Sequence, residues 1–498
     1  MVGHNWPTIF IFKIEIGTMK THTKLLSALS SLALLIGSAG GHASEQKPNI
    51  ILIVADDLGY ADVGFNGSKD IITPNIDDLA KSGTSFSDAY VAHPFCGPSR
   101  AALMTGRYPH KIGSQFNLPT RGSNVGVPTD AKFISKLLNE NNYFTGALGK
   151  WHMGDAPQYH PNKRGFDEYY GFLGGGHNYF PDQYQPQYKK QQAQGLKNIF
   201  EYIKPLEHNG KEVKETQYIT DALSREAVNF VDKAVNKKNP FFLYLAYNAP
   251  HVPLQAKDED MAMFPNIKNK DRKTYAGMVY AVDRGVGKLV ETLKKNNQYD
   301  NTLIVFMSDN GGKLSKGANN FPLKAGKGST QEGGFRVPML FHWPKHVPAG
   351  KRFSHPVSAL DLYPTFAALA GAKVEENQHL DGTNMWPAFI KNENPHKDEP
   401  IYALRHRKGY SDAAIRMNQW KALKVNQQPW QLFNIENDIS EKHDVSKSNK
   451  ALLTDMVREM EKWSWDNQQP KWFHETTEGA NWRLDAMPRF DKTFKTTK

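Results

Sequence analysis

The sequence predicts an α/β fold, with a large, mostly parallel central sheet flanked by helices and a smaller C-terminal α+β subdomain. Three observations carry this. Short, unalternating apolar runs alternate with amphipathic stretches, the pattern of parallel strands buried on both faces and joined by helices. Four of those runs end in polar, chemically useful groups: Asp56-Asp57, Lys150 with His152, His251, and Asp309-Asn310. In open α/β sheets, ligands bind beyond the carboxyl ends of the strands. After about residue 395 the runs become shorter and more amphipathic, which marks a change of architecture.

The elements follow in order. In "KPNIILIVADDLGYAD" (47–62) the apolar run Ile50–Ala55 reads as a buried strand that breaks at Asp56-Asp57. "TPNIDDLAKSG" (73–83) reads as a helix with Thr73 as N-cap, Pro74 at N1 and Gly83 at its end. "CGPSRAALMTG" (96–106) reads as a helix start, with Pro98 in the first turn and Gly106 just past the end. Residues 143–154 are a strand running into a loop, and 239–251 repeat that theme. Residues 185–215 are polar and rich in Gln and Lys, which predicts a long surface excursion. A helix over 272–298 precedes the strand of "TLIVFMSDNGG" (302–312), and a last helix is expected over 448–463. The division is residues 1–43 as a leader, 44–395 as the large N-terminal domain and 396–498 as the C-terminal subdomain and tail.

The leader is read from Lys20 and Lys24, the apolar run Leu25–Gly37 and the small residues of "GSAGGHAS", which together look like a secretory signal peptide; Met19 is an alternative start. The run is too short for a membrane span, which needs roughly 20 apolar residues. An exported protein, periplasmic or secreted, with no integral membrane segment in its mature chain is therefore expected. The 498-residue chain carries a net charge of +11, of which the leader accounts for +2. A basic surface favours anionic partners, but no zinc-finger spacing and no RNP-like aromatic motif point to nucleic acid. Anionic polysaccharide is the partner that an exported basic protein would meet. The one cysteine, Cys96, excludes an intrachain disulfide and any Cys-rich metal centre.

The chemistry begins with the acidic pairs. An isolated Asp after a strand commonly serves a turn or a cap. Asp56, Asp57, Asp309 and Asn310 together offer only oxygen ligands, which suits calcium or magnesium rather than zinc. Cys96 at a helix start would lie at the positive end of the helix with a lowered thiol pKa, and Arg100 would fall on the same face. On the residues alone this is either a thiolate nucleophile or an anion site.

Cys-x-Pro-Ser-Arg followed by "AALMTGR" (101–107) resembles the signature of the formylglycine-dependent type I sulfatases, arylsulfatase-like members of the alkaline phosphatase superfamily. The resemblance extends to "NIILIVADDLGYAD", "GKWHMG", "APHVPLQA", "SDNGG", "KAGKGSTQEGGFRVP" and "LFNIENDISEKHDV", in family order from residue 48 to about 445. It departs in the last block, with Phe433 for Tyr and Ile439-Ser440 where Pro-Gly is common.

The resemblance implies an alkaline-phosphatase-like fold, sulfate ester hydrolysis and oxidation of Cys96 to Cα-formylglycine by a maturation enzyme. It implies one Ca2+ held by Asp56, Asp57, Asp309, Asn310 and residue 96. Arg100 and Lys150 would stabilise the formylglycine hydrate, and His152 would assist collapse of the intermediate. His251 and Lys327 would contact the sulfate ester, with His251 as acid for the leaving oxygen; Lys324 is an alternative that the motif register disfavours. The chemistry suits those groups. A sulfate ester is a poor electrophile ringed by negative oxygens, so it needs cations and a positioned nucleophile. One hydroxyl of an aldehyde hydrate attacks sulfur, and the other expels sulfate by re-forming the aldehyde.

For substrate, a sulfated polysaccharide or its oligosaccharides is expected, carrageenan or ulvan first and glycosaminoglycan next. The loop "GFLGGGHNYFPD" (171–182) offers His177, Asn178 and Tyr179. Arg405 and His406, with Arg407, are candidates for a second anionic group. A phosphate or phosphonate ester hydrolase, or a non-catalytic sulfated-glycan binder, are the alternatives.

Overall fold

Residues Asn49–Ala55 are almost entirely aliphatic and β-branched and carry no side chain for solvent, so the strand they form is buried along its whole length. It lies in the middle of a ten-stranded sheet. On one side it pairs in parallel with Phe241–Ala246, then Phe144–Lys150 and Glu168–Phe172. On the other side it pairs in parallel with Thr302–Ser308. Met339–His342 runs antiparallel next to that strand, and the hairpin of Glu207–His208 and Lys211–Glu212 closes the opposite edge. The computed structural model describes residues 47–119, 124–397, 399–407, 410–475 and 479, so the expected leader lies outside the described residues.

The five parallel strands set the site. All of them end at the same edge of the sheet, with Ala55 opposite Ser308 and Ala246 opposite both Val54 and Gly149. The polar groups that follow those ends are therefore brought together. Side chains alternate between two apolar cores. Ile50, Leu52, Val54, Phe242 and Tyr244 face one, and Ile51, Ile53, Leu243 and Leu245 face the other. Helices Cys96–Thr105, Ile134–Glu140 and Leu362–Leu369 cover the first face, and Pro74–Lys81, Ile219–Lys237 and Lys270–Lys295 the second.

The C-terminal part is a four-stranded antiparallel sheet of Ile401–His406, Ser411–Met417, Trp420–Lys424 and Gln431–Asn434, followed by the helix Lys450–Ser464. Leu404, Ala413, Ile415, Ala422 and Leu432 pack against Met456, Met460 and Trp463 of that helix and against Ala102 of the Cys96 helix. The sheet thus rests directly on the element that carries the cysteine. None of the described helices is long and apolar enough to cross a membrane.

Two expectations are corrected. Residues 185–215 are not a plain surface excursion. They complete the helix Pro181–Ala193 and supply the edge hairpin, and Ile199, Ile203 and Leu206 are buried in the second core. Three apolar anchors in a polar stretch were too sparse for periodicity to register. Thr73 precedes its helix as expected, but its hydroxyl does not cap it: it donates to Asp77 Oδ1 at 3.0 Å and accepts the Gly64 N–H at 2.9 Å.

Candidate active site

Each strand end delivers its residue for a local reason. Asp57 turns the chain sharply with φ 64°, a conformation that Asp tolerates better than most residues. Gly149 has φ 104°, and a Cβ there would lie 2.0 Å from the Ala246 carbonyl oxygen, so only glycine lets the Lys150 strand close on its neighbour. His152 also sits at positive φ, 59°, strain of the sort concentrated at functional sites. Cys96 is the first residue of its helix, which Gly106 ends at φ 65°.

The side chains converge. Lys150 Nζ is 2.6 Å from Asp56 Oδ2. Lys327 Nζ is 2.6 Å from Asp57 Oδ1 and 3.2 Å from Cys96 Sγ. Asn310 Nδ2 donates to Asp57 Oδ1 at 2.8 Å. Arg100 is fully buried, and it grips Asp309 Oδ2 through Nε at 2.9 Å and Nη2 at 2.8 Å. Its Nη1 donates to the Lys150 carbonyl and the Tyr244 hydroxyl, both at 3.1 Å. His251 Nε2 is 3.7 Å from Asp57 Oδ2, while Nδ1 donates to the Val252 carbonyl at 2.7 Å.

The electrostatics follow from packing three acids among four cations. Burial pushes the Cys96 thiol up, but Lys150 and Lys327 outweigh it and hold the thiol at about 6. Burial likewise opposes ionisation of Asp57, and Lys327 with His251 brings it below the usual carboxylate range. Burial and the neighbouring Asp56 hold Asp309 at about 6, against the pull of Arg100. His152 is pushed well down by burial and by Lys150 and Arg100. For His251, burial is overcome by Asp56 and Asp57, and its pKa rises.

The donor set fits a hard divalent cation. Asp56 Oδ1 and Asn310 Oδ1 are buried and accept no hydrogen bond from the described residues, an arrangement that an ion would relieve. Asp56, Asp57, Cys96 and His251 offer ligand atoms that all lie within 4.8 Å of one another.

The profile of the family described as Sulfatase matches residues 48–372, and that of N-sulphoglucosamine sulphohydrolase, C-terminal, matches 327–467. The chain belongs to the sulfatase family. It is an enzyme of that family, and sulfate ester hydrolysis is its reaction class. N-acetylgalactosamine-6-sulfatase of Mus musculus is 33% identical over 435 residues, 85% of this chain and 80% of that protein. The crystal structure of Ps i-CgsB in complex with k-i-k-neocarrahexaose is 98% identical at a TM-score of 0.90, covering 91% of this chain and 100% of that one. The PsFucS1 sulfatase from Pseudoalteromonas sp. is 25% identical at a TM-score of 0.72, covering 84% of this chain and 90% of that one.

In this sulfatase, Asp56, Asp57, Cys96, Arg100, Lys150, His251, Asp309, Asn310 and Lys327 meet at one place. His152 lies beside them, its Cε1 3.5 Å from where a Cβ on Gly97 would be. Lys324 does not join them; its Nζ donates to the Glu441 carbonyl at 3.0 Å. His177 is a correction: it is fully buried, with Nδ1 2.6 Å from the Asn178 carbonyl and Nε2 2.7 Å from the Lys204 carbonyl, so it anchors the loop. Asn178 is half-buried on the same loop, its N–H bound to the Tyr202 carbonyl. His406 is a second correction. It is buried among His110, Phe116 and Ser411 rather than presented to a ligand. Strand alternation explains this, since Arg405 and His406 point to opposite faces.

The sequence reading missed Tyr244, which holds Arg100, and Asn117, whose Oδ1 accepts the Gly97 N–H at 3.0 Å. It also missed Glu201 and Tyr202, which pack on the Gly174–Gly176 loop. Tyr244 lies on a strand already recognised; the others lack any local signal.

Proposed function

We propose that this sulfatase removes sulfate from a carrageenan oligosaccharide outside the cytoplasm, using formylglycine at position 96 and one Ca2+. The substrate rests on one observation: a structure 98% identical to this chain holds k-i-k-neocarrahexaose. Export rests on the leader sequence and on the size of the polysaccharide. Asp56, Asp57, Asp309, Asn310 and residue 96 would hold the ion, which supplies positive charge against sulfate oxygens; formylglycine supplies an oxygen nucleophile and a route for releasing sulfate.

The chain's own residues do the rest. Lys327, between Asp57 and residue 96, neutralises charge on the sulfuryl group. Lys150 does the same beside Asp56. Arg100 fixes Asp309 in place rather than touching substrate. His251 donates an Nδ1–H hydrogen bond to the Val252 carbonyl, which leaves Nε2 to carry the proton for the departing sugar oxygen. His152 is held neutral and its Nδ1 has no hydrogen-bond partner among the described residues, so it suits a base.

The test is release of inorganic sulfate from k-i-k-neocarrahexaose and from ulvan, chondroitin, heparin and fucoidan oligosaccharides. The enzyme is co-expressed with a formylglycine-generating partner, with Cys96→Ala as control. Release from the neocarrahexaose that is absent in the control is expected. Release only from another class overturns the substrate, and unchanged turnover by Cys96→Ala overturns the formylglycine mechanism.

A further inference from the structure

The helix that carries Cys96 has no cap of its own. The first N–H groups of a helix lack intrahelical acceptors, and Phe95, which stands in the capping position, offers no polar side chain. Pro98 has no N–H to satisfy. The Phe95 N–H donates to His93 Nδ1 at 3.2 Å, and the Gly97 N–H donates to Asn117 Oδ1 at 3.0 Å. Asn117 thus does from 20 residues away what a capping side chain usually does locally. It also lies beside His152: a Cβ on Gly97 would fall 2.9 Å from Asn117 Oδ1 and 3.5 Å from His152 Cε1.

Asn117 belongs to a run, residues 113–119, that forms neither helix nor strand. Irregular backbone must find its hydrogen-bond partners elsewhere. Here they come from the segment after the last helix. The Gln468 N–H donates to the His110 carbonyl at 2.8 Å, and the Lys471 N–H to the Gly113 carbonyl at 2.9 Å. On either side of Asn117, Trp472 Nε1 donates to the Phe116 carbonyl at 2.8 Å and His474 Nδ1 to the Leu118 carbonyl at 2.9 Å. In return the buried Gln115 donates through Nε2 to the Gln468 carbonyl at 3.0 Å. The rings of Phe116 and Phe473 pack 5.1 Å apart. The tail is therefore laced onto this run along its length.

We infer that Asn117 is a positioning residue for the helix that presents residue 96, and that residues 468–474 are the strap that sets it. The inference rests on the reading of residue 96 as the reacting residue. A cap supplied by a loop fixes the helix end only as well as the loop itself is fixed. The carbonyls flanking Asn117 are fixed by Trp472 and His474. A loosened strap lets the first turn of the helix drift relative to Lys150, His152 and Lys327, and small displacements of that kind slow the reaction step. The charged groups that meet the sulfate ester stay where they are, so the signature is a lower kcat at constant KM.

The experiment is a double-mutant cycle on the matured enzyme with k-i-k-neocarrahexaose, using Asn117→Ala, Trp472→Phe and the pair. Trp472→Phe keeps a buried ring and removes the N–H that reaches the Phe116 carbonyl, so its melting temperature is expected to stay close to that of wild type. Asn117→Ala is expected to lower kcat roughly tenfold and Trp472→Phe about threefold, with KM unchanged in both. In the Asn117→Ala background, Trp472→Phe is expected to lower kcat no further, because the strap acts through Asn117. An unchanged kcat in either single variant overturns the inference, and so do losses that multiply in the pair. A loss of kcat matched by a fall in melting temperature also overturns it, since the contact would then serve the fold alone. Amide hydrogen exchange on the unmatured protein reads the strap without turnover. Faster exchange at Gly97 is expected in Trp472→Phe as well as in Asn117→Ala, and an unchanged rate in Trp472→Phe overturns the strap. If the matured wild type releases no sulfate from the hexasaccharide, the substrate reading fails, and exchange at Gly97 still decides the strap separately.

Discussion

Lys421 Nζ lies 2.8 Å from Glu332 Oε1, and both side chains are fully buried. The lysine belongs to the C-terminal sheet, and the glutamate opens the short helix that follows the Lys327 loop. Lys421 also lies 2.8 Å from Glu441 Oε1, while Glu441 Oε2 accepts the Glu332 N–H at 2.9 Å. Tyr90 and Arg336 complete the shell around Glu332. The C-terminal sheet therefore clamps the loop that carries Lys327. Burial opposes ionisation of Glu332, and Lys421 with Arg336 keeps its pKa low. Replacing Lys421 by Met leaves the buried Glu441 carboxylate without its cation and Glu332 with Arg336 alone. A loss of about 3–5 kcal/mol in urea unfolding is expected, the range for breaking a buried ion pair from one side. A loss under about 1 kcal/mol would mean that the loop does not depend on this contact.

The oxygen cluster predicts a second result. Asp56 Oδ1 and Asn310 Oδ1 accept no bond from the described residues, so a bound cation should stabilise the fold by mass action. Protein stripped with a chelator is expected to melt several degrees lower and to recover when Ca2+ returns. Asn310→Leu should abolish the Ca2+-dependent shift. Scanning calorimetry checks both. An Asn310→Leu protein with the full Ca2+ shift would remove Asn310 from the ligand set.

Much of this site was legible because its chemistry sits at strand ends. Asp56-Asp57, Lys150, His251 and Asp309-Asn310 each follow an apolar run, and parallel topology brings those ends to one edge. What was not legible depends on partners far away in sequence. His177 is silenced by the Lys204 carbonyl, 27 residues on, and Glu332 is held by Lys421, 89 residues on. No periodicity within one segment reports which carbonyl or ammonium will arrive from another. Arg405 and His406 were read as a pair although adjacent strand residues face opposite ways, and only Arg405 reaches a cleft.

Glu201 supplies a pH test. Burial raises its carboxyl to about 7, against the Gly175 N–H that it accepts at 3.0 Å and the pull of Lys150. The folded state thus holds a proton that the unfolded state has already lost. The associated stability is complete below the ordinary value of 4.5 and fades as pH rises through about 7. Glu201→Gln keeps an acceptor for Gly175 and removes the titration. The variant is expected to be more stable than wild type at pH 8 by about 2–3 kcal/mol and to lack the decline between about pH 5 and 7. Parallel pH curves for the two proteins would show that this carboxyl ionises normally.

Gly175 makes the last prediction. Its loop was expected to meet substrate, but its backbone instead limits where His152 can be. A Cβ at Gly175 would lie 2.7 Å from His152 Nε2 and 3.0 Å from Cε1, too close without movement of the ring. The glycine is not in the left-handed region, so alanine suits its backbone and only the contact changes. Gly175→Ala should therefore displace His152 while leaving the fold intact. A displacement near 1 Å costs a catalytic group about 100-fold, so kcat is expected to fall about 10- to 100-fold with KM and melting temperature little changed. A fall in melting temperature that matches the loss of activity would assign the glycine to packing alone. An unchanged kcat would take His152 out of the reaction, because the three atoms nearest that Cβ all belong to its ring.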